Sequence, residues 1–218
     1  QLMVESKSLE KQNDSLAPAL KKNESIYGGS WILKEQALCP FRAFAHVRLD
    51  ASAPALPELG IEPMEKGTLM HEALDLIWQA LKDHRTLCEK TPDEIQQLVS
   101  HCVNSVIKPL LLQTVSQLKK SFLTLERERL TKLLVRWLEV EKKRGEFRVI
   151  ERETQRRISV GKLKLAVTID RIVQLVDGSK LIIDYKSGVS HVSSWSPEKL
   201  TDPHLPLYSV YGSPSAQG

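Results

Sequence analysis

The feature that most constrains this chain is the pair Asp177-Gly178, set between two β-rich runs, Ala166-Val167-Thr168-Ile169-Asp170-Arg171-Ile172 and Leu181-Ile182-Ile183-Asp184-Tyr185-Lys186. Glycine accepts a positive φ without steric penalty, so an Asp-Gly pair between two such runs predicts a β-hairpin. Each arm is apolar until a carboxylate interrupts it. Asp170 stands seven residues before the turn and Asp184 six after it, which places the two near one another across the ladder. Neighbouring carboxylates repel and must share a cation, a proton or a basic partner. Hard oxygen donors of this kind suit Mg²⁺ or Mn²⁺. Lys186 follows Asp184 by two, so strand alternation sends both side chains to one face. Tyr185, between them, points its side chain away and leaves its backbone carbonyl free as a further ligand. A carboxylate that holds a metal, with an ammonium beside it, can orient a water and neutralise charge on a phosphate under attack. An exposed Asp–Lys pair on a strand is commonly only a surface ion pair. Here Leu181-Ile182-Ile183 reads as a buried strand, and a charged pair at the end of a buried strand is a more typical place for a site.

Elsewhere, apolar periodicity divides the chain. Residues 1–29 are rich in Lys, Glu, Ser and Asn, end in Tyr27-Gly28-Gly29, and read as a flexible leader. Trp31 to Leu49 predicts two short helices broken at Pro40, and residues 50–63, with three prolines, a loop. From Glu65 to His84, apolar residues recur at three- and four-residue spacing through Leu69, Met70, Ala73, Leu74, Ile77, Trp78 and Leu81, an amphipathic helix. A further helix opens at Thr91-Pro92-Asp93-Glu94, and a long one runs from about Ser116 to Lys143, stopped by Gly145. From Glu146 the character changes to short β-branched runs, Phe147–Ile150, Arg157–Val160, Leu163–Val176 and Lys180–Lys186. Helices before and after a meander of three or four strands predict an α/β domain over 30–218 with a mixed or antiparallel sheet, and a helical insert at about 86–145.

Composition adds bounds. The 218 residues, 41% hydrophobic and 27% charged, match an ordinary globular chain. No apolar run approaches the ~20 residues of a membrane span. A net charge of +4, from 31 basic and 27 acidic residues, leans only weakly toward a polyanionic partner. Cys39, Cys88 and Cys102 sit at no metal-ligand spacing and read as free thiols of a reducing compartment. With Gln1 in first place, the chain is expected to be a piece of a longer protein.

Four separated motifs resemble those of RecB-type and AddB-like nucleases in the PD-(D/E)XK superfamily. Ile182-Ile183-Asp184-Tyr185-Lys186-Ser187-Gly188 is similar to the signature (I/V)-D-Y-K-T-G, with Ser187 for Thr. Thr168-Ile169-Asp170-Arg171-Ile172 resembles G-x-I-D-R-I, with Val167 in the glycine position. Gly67-Thr68-Leu69-Met70-His71-Glu72-Ala73-Leu74 resembles the G-x-x-x-H-x-x-L helix, and Leu205-Pro206-Leu207-Tyr208 the segment Q-L-P-L-Y, with His204 in the glutamine position. The resemblance implies a restriction-endonuclease-like core, a small mixed sheet flanked by helices. It implies His71, Asp170, Asp184 and the Tyr185 carbonyl as ligands of Mg²⁺ or Mn²⁺, with Lys186 as the catalytic cation. DNA contacts are implied for His204, Tyr208, Ser187 and Arg171, and Glu153 matches an acidic position that supports the ligands. Cys39, in Leu38-Cys39-Pro40-Phe41-Arg42, resembles the first cysteine of an iron–sulfur cluster, which is expected only in a longer parent protein; within this chain Cys39 is expected as a lone buried thiol.

The function these readings imply is metal-dependent hydrolysis of DNA phosphodiester bonds, by an exonuclease in preference to an endonuclease. The setting is DNA repair or recombination in the bacterial cytoplasm, within a larger protein or beside a helicase-like subunit. Two rivals stand against it: a nuclease fold that grips DNA but cuts weakly or not at all, and a structural platform made by the helices at 65–143.

Overall fold

The computed structural model describes residues 18–52, 54, 60–188 and 202–211. Its centre is β3, Leu163–Leu175, which pairs along one edge with β2, Phe147–Val160, antiparallel throughout. The other edge is shared by β1, Ile26–Gly28, running parallel to Leu163–Leu165, and by β4, Lys180–Ile183, running antiparallel. The result is the small mixed sheet expected, flanked by helices.

The β3–β4 turn forms for local reasons. Gln174 pairs with Lys180, and the Leu175 amide donates to the Ser179 carbonyl at 2.9 Å. Gly178 takes φ +82°, and Asp177 Oδ1 accepts from both the amide and the hydroxyl of Ser179. The loop is therefore three residues centred on Asp177, a form that places glycine in the left-handed position. The two runs at Phe147–Ile150 and Arg157–Val160 belong to one strand, β2, whose ladder shifts register between Val149 and Glu151. That bulge, and the charged stretch around it, hide the continuity from a reading by alternation.

Ile26–Gly28, expected within a flexible leader, forms β1 instead, and the Ile26 amide donates to the Lys162 carbonyl at 3.0 Å. A three-residue strand whose partner lies far along the chain carries no visible period. A Cβ at Gly28 would stand 2.5 Å from Ile32 Cδ1 in the first turn of the next helix, so the isoleucine side chain would have to shift to admit one. Residues 1–17 lie outside the described residues.

Helices α1, Trp31–Leu38, and α2, Pro40–Leu49, follow the expected break, with Pro40 opening the second. Cys39 caps α2 and is exposed, so the expected buried thiol is incorrect. α3 covers Pro63–Leu81, starting earlier than Glu65 because Pro63 fits the first helical turn. It stops at Lys82, φ +63°, after which the Asp83 side chain caps a separate helix α4, His84–Glu89. α5, Pro92–Gln113, opens on a full capping box between Thr91 and Glu94, and α6, Gln117–Glu141, on the Ser116 cap.

The stripe of α3, from Leu69 to Leu81, is wholly buried. It packs with Ile95, Val99, Val103 and Ile107 of α5, Leu123, Leu130, Leu134 and Leu138 of α6, and Phe147 and Val173 of the sheet. The region expected as an insert thus supplies half of the main core. A second cluster joins Ile32 of α1, four residues of β3 and Leu207 and Tyr208 of α7, His204–Tyr211. Because one core unites helices and sheet, Leu130→Ala should cost ~2–5 kcal/mol. Unfolding should remain a single transition by circular dichroism and by tryptophan fluorescence alike; two separated transitions would contradict the shared core.

Candidate active site

Successive residues of a strand point to opposite faces, and at the end of β3 this sorts two neighbours to different fates. Asp170 turns into an open cleft of about 690 Å³, whereas Arg171 turns into the core. Continuing the β3–β4 register, in which Arg171 pairs with Ile183, by one residue sets Asp184 opposite Asp170. Asp170 Oδ2 accepts the Tyr185 amide at 2.6 Å, which ties the two arms together at that level. β4 ends at Ile183, short of the expected Lys186, and beyond it Lys186 also lines the cleft, its ammonium 2.7 Å from Asp184 Oδ2.

Helix α3 brings the imidazole. His71 stands on the rim of the apolar stripe, half-buried, with Nδ1 3.3 Å from Asp170 Oδ1 and 3.7 Å from Glu153 Oε1. One turn further along α3, Asp75 takes the guanidinium of Arg152 through both its carboxylate and its carbonyl, pinning β2 to the helix beside Glu153. Glu153 itself holds φ +41°. For a residue with a side chain, that left-handed conformation costs ~1–3 kcal/mol and persists where the surroundings impose it, most often at functional sites. The β2–β3 register, with Arg152 opposite Arg171 and Thr154 opposite Ile169, sets Glu153 level with Asp170.

His71, Glu153 and Asp170 each offer a donor atom, all within 4.8 Å of one another. One imidazole and two carboxylates form a donor set of the kind that binds a hard divalent cation. Asp184 lines the same cleft but is turned to Lys186. Burial pushes the Asp184 carboxyl upward, and Lys186 opposes that rise. The carboxylates of Asp170 and then Glu153 hold the His71 imidazolium, raising its pKa to about 10.

Nine of the ten residues expected at the site line this cleft: His71, Glu153, Asp170, Asp184, Tyr185, Lys186, Ser187, His204 and Tyr208. Arg171 does not. Its side chain is 1% exposed, bonded to Glu141 of α6, so the expected DNA contact is incorrect. Tyr208, at the cleft wall, is 2% exposed, and its hydroxyl donates to the Thr168 carbonyl at 2.7 Å, docking α7 on β3. His204 remains accessible at the cleft, with Nδ1 2.7 Å from Asp202 Oδ1. Trp31, Ser30 and Thr68 also line it, and no spacing in the sequence signals them.

A family model for the PD-(D/E)XK nuclease superfamily matches residues 32–216, spanning the helix of His71, the β3–β4 hairpin and α7. The chain belongs to that superfamily. Among curated proteins no sequence matches it. Membership in the PD-(D/E)XK superfamily supports a nuclease-type function, the hydrolysis of phosphodiester bonds. Among the described residues no helix is long and apolar enough to cross a membrane.

The His71 environment has a measurable consequence. A metal ligand must be the neutral imidazole, yet in the ion-free cleft the cation persists up to about pH 10. Binding of a divalent ion near pH 7 should therefore release about one proton from His71, and affinity should fall about tenfold per unit of pH decrease below that value. Calorimetry in buffers of different ionisation enthalpy reads the proton directly. His71→Ala should abolish the release, and release persisting undiminished in that variant would assign the proton elsewhere.

Proposed function

We propose that this domain hydrolyses DNA phosphodiester bonds with Mg²⁺ or Mn²⁺ as cofactor. The observation that carries the reading is the convergence of His71, Glu153 and Asp170 on one point of a cleft that Asp184 and Lys186 also line. His71, Asp170 and Asp184 would hold the ion with the Tyr185 carbonyl, and Glu153 stands close enough to join or support them. When bound, such an ion polarises the phosphodiester and makes water a stronger nucleophile at neutral pH.

The chain's own residues supply the rest. Lys186 offers a positive charge where phosphate charge builds up during displacement. Asp184 holds that ammonium in place, so the pair is oriented before substrate arrives. Ser187 and His204 offer hydrogen-bond donors at the cleft for the phosphate chain on either side. The cleft is open rather than enclosed, which suits a polymer better than a small enclosed ligand. By its motifs the domain would act from DNA ends, in repair or recombination in the bacterial cytoplasm, as the nuclease of a longer protein or beside a helicase-like subunit. An iron–sulfur cluster involving Cys39 belongs only to such a longer protein.

A second reading is a DNA-binding module with weak cleavage or none. Asp184, engaged by Lys186 outside the convergent trio, favours it, as does His204 in place of glutamine. Linear end-labelled DNA with Mg²⁺ or Mn²⁺ separates the two. Native protein should cut, Asp170→Asn and Asp184→Asn should abolish cutting, and Lys186→Ala should slow it by about 10²-fold or more. DNA retained on the protein without metal-dependent cleavage would favour the binding module, and a closed circular substrate left intact beside a degraded linear one would assign end dependence.

A further inference from the structure

Behind the cleft, on the core side of the hairpin, lies a cluster of polar groups that the proposed chemistry does not use. Arg171 Nη2 donates to Glu141 Oε2 at 2.8 Å, with the side chains 1% and 0% exposed. The guanidinium carbon lies 4.1 Å from the ring centre of Trp78, 5.5 Å from that of Phe147 and 5.6 Å from that of Tyr185. Trp137 meets Tyr185 edge to face at 6.2 Å. Glu141 and Trp137 come from α6, the helix farthest in sequence character from the nuclease motifs.

As a device for stability this cage is poorly built. Arg171 Nε and Nη1, the Tyr185 hydroxyl and both indole nitrogens are buried without a hydrogen-bond partner among the described residues. Taking an ion pair out of water is costly, and apolar residues of similar volume in its place are often neutral or stabilising. What the pair does have is directionality. It fixes one face of Tyr185, whose amide donates to Asp170, whose ring also meets His71 edge to face at 6.1 Å, and whose neighbours are Asp184 and Lys186.

We infer that the buried Arg171–Glu141 pair is a positioning device for the ion-binding cleft, through which α6 holds the Asp184-Tyr185-Lys186 backbone in the orientation that the ion requires. Arg171 and Glu141 are positioning residues; neither reaches the cleft. The inference rests on the metal-dependent nuclease reading for its purpose. Its physical content is an effect on ion affinity and on the Tyr185 backbone.

Removing one partner alone would strand a buried charge and confuse positioning with misfolding, so the pair is replaced together by Arg171→Met with Glu141→Leu. Thermal unfolding, Mn²⁺ affinity by calorimetry and exchange of the Tyr185 amide by nuclear magnetic resonance are measured on this variant and the native chain. The variant should melt within a few degrees of native, bind Mn²⁺ about ten- to a hundredfold more weakly, and exchange the Tyr185 amide faster. Native melting together with native Mn²⁺ affinity would overturn the inference. Should the double variant not fold cooperatively, Arg171→Lys keeps the charge and loses the planar fork. Weaker Mn²⁺ binding in that folded variant supports positioning, and unchanged binding overturns it. DNA cleavage is scored separately. Native protein that binds Mn²⁺ through Asp170 but cuts no DNA overturns the nuclease reading and leaves the positioning inference to the affinity comparison; native protein with no Asp170-dependent Mn²⁺ binding overturns both.

Discussion

The register of β4 on β3 is the constraint on which the rest depends. Arg171 opposite Ile183 sets Asp170 level with Asp184, and the bond from the Tyr185 amide to Asp170 closes the hairpin at that level. Side chains alternate with a period of two, so a slip of one residue would send Asp184 and Lys186 into the core and Tyr185 into the cleft. The turn at Asp177-Gly178 resists that slip from one end. The packing of Arg171 and Tyr185 against α3 and α6 resists it from the other.

That register also explains the electrostatics. Asp170, Asp184 and Glu153 are brought into one cleft, and such crowding is tolerable only with compensating charge. His71 and Lys186 provide it in the ion-free chain, each taking one side of the acidic group. On the proposed reading a divalent ion would displace the proton on His71, and a phosphate would compete with Asp184 for Lys186. Glu153 belongs to the same account, since the β2–β3 register, with Arg152 opposite Arg171 and Thr154 opposite Ile169, sets it level with Asp170 and brings a third carboxylate to the cleft.

Much of this was legible in the sequence, for physical reasons. The hairpin rests on a glycine that needs positive φ and on arms that are apolar until a carboxylate interrupts each, and α3 on a seven-residue apolar stripe. The Thr91 and Ser116 caps mark helix starts because their side chains satisfy orphan amides locally. What escaped the sequence depended on distant partners. β1 is three residues long and is stabilised by a strand more than a hundred residues away. Arg171 shares a motif with Asp170 and was expected beside it, although adjacent strand residues cannot share a face. Glu141 did leave a trace. It continues the stripe of Leu130, Leu134 and Leu138 along α6, a carboxylate where a leucine would be expected. Glu153 was expected from its motif position alone; its left-handed backbone, φ +41°, is announced by no residue type.

The central claim is that His71, Asp170 and Asp184, with Glu153 at hand, form one divalent-cation site. Crystals of the native chain soaked in Mn²⁺, with data collected at the manganese absorption edge, test it most directly. The account predicts an anomalous peak at coordination distance from His71 and Asp170, with Asp184 swung away from Lys186 to join them. A peak elsewhere, or none in the cleft at millimolar Mn²⁺, would contradict it.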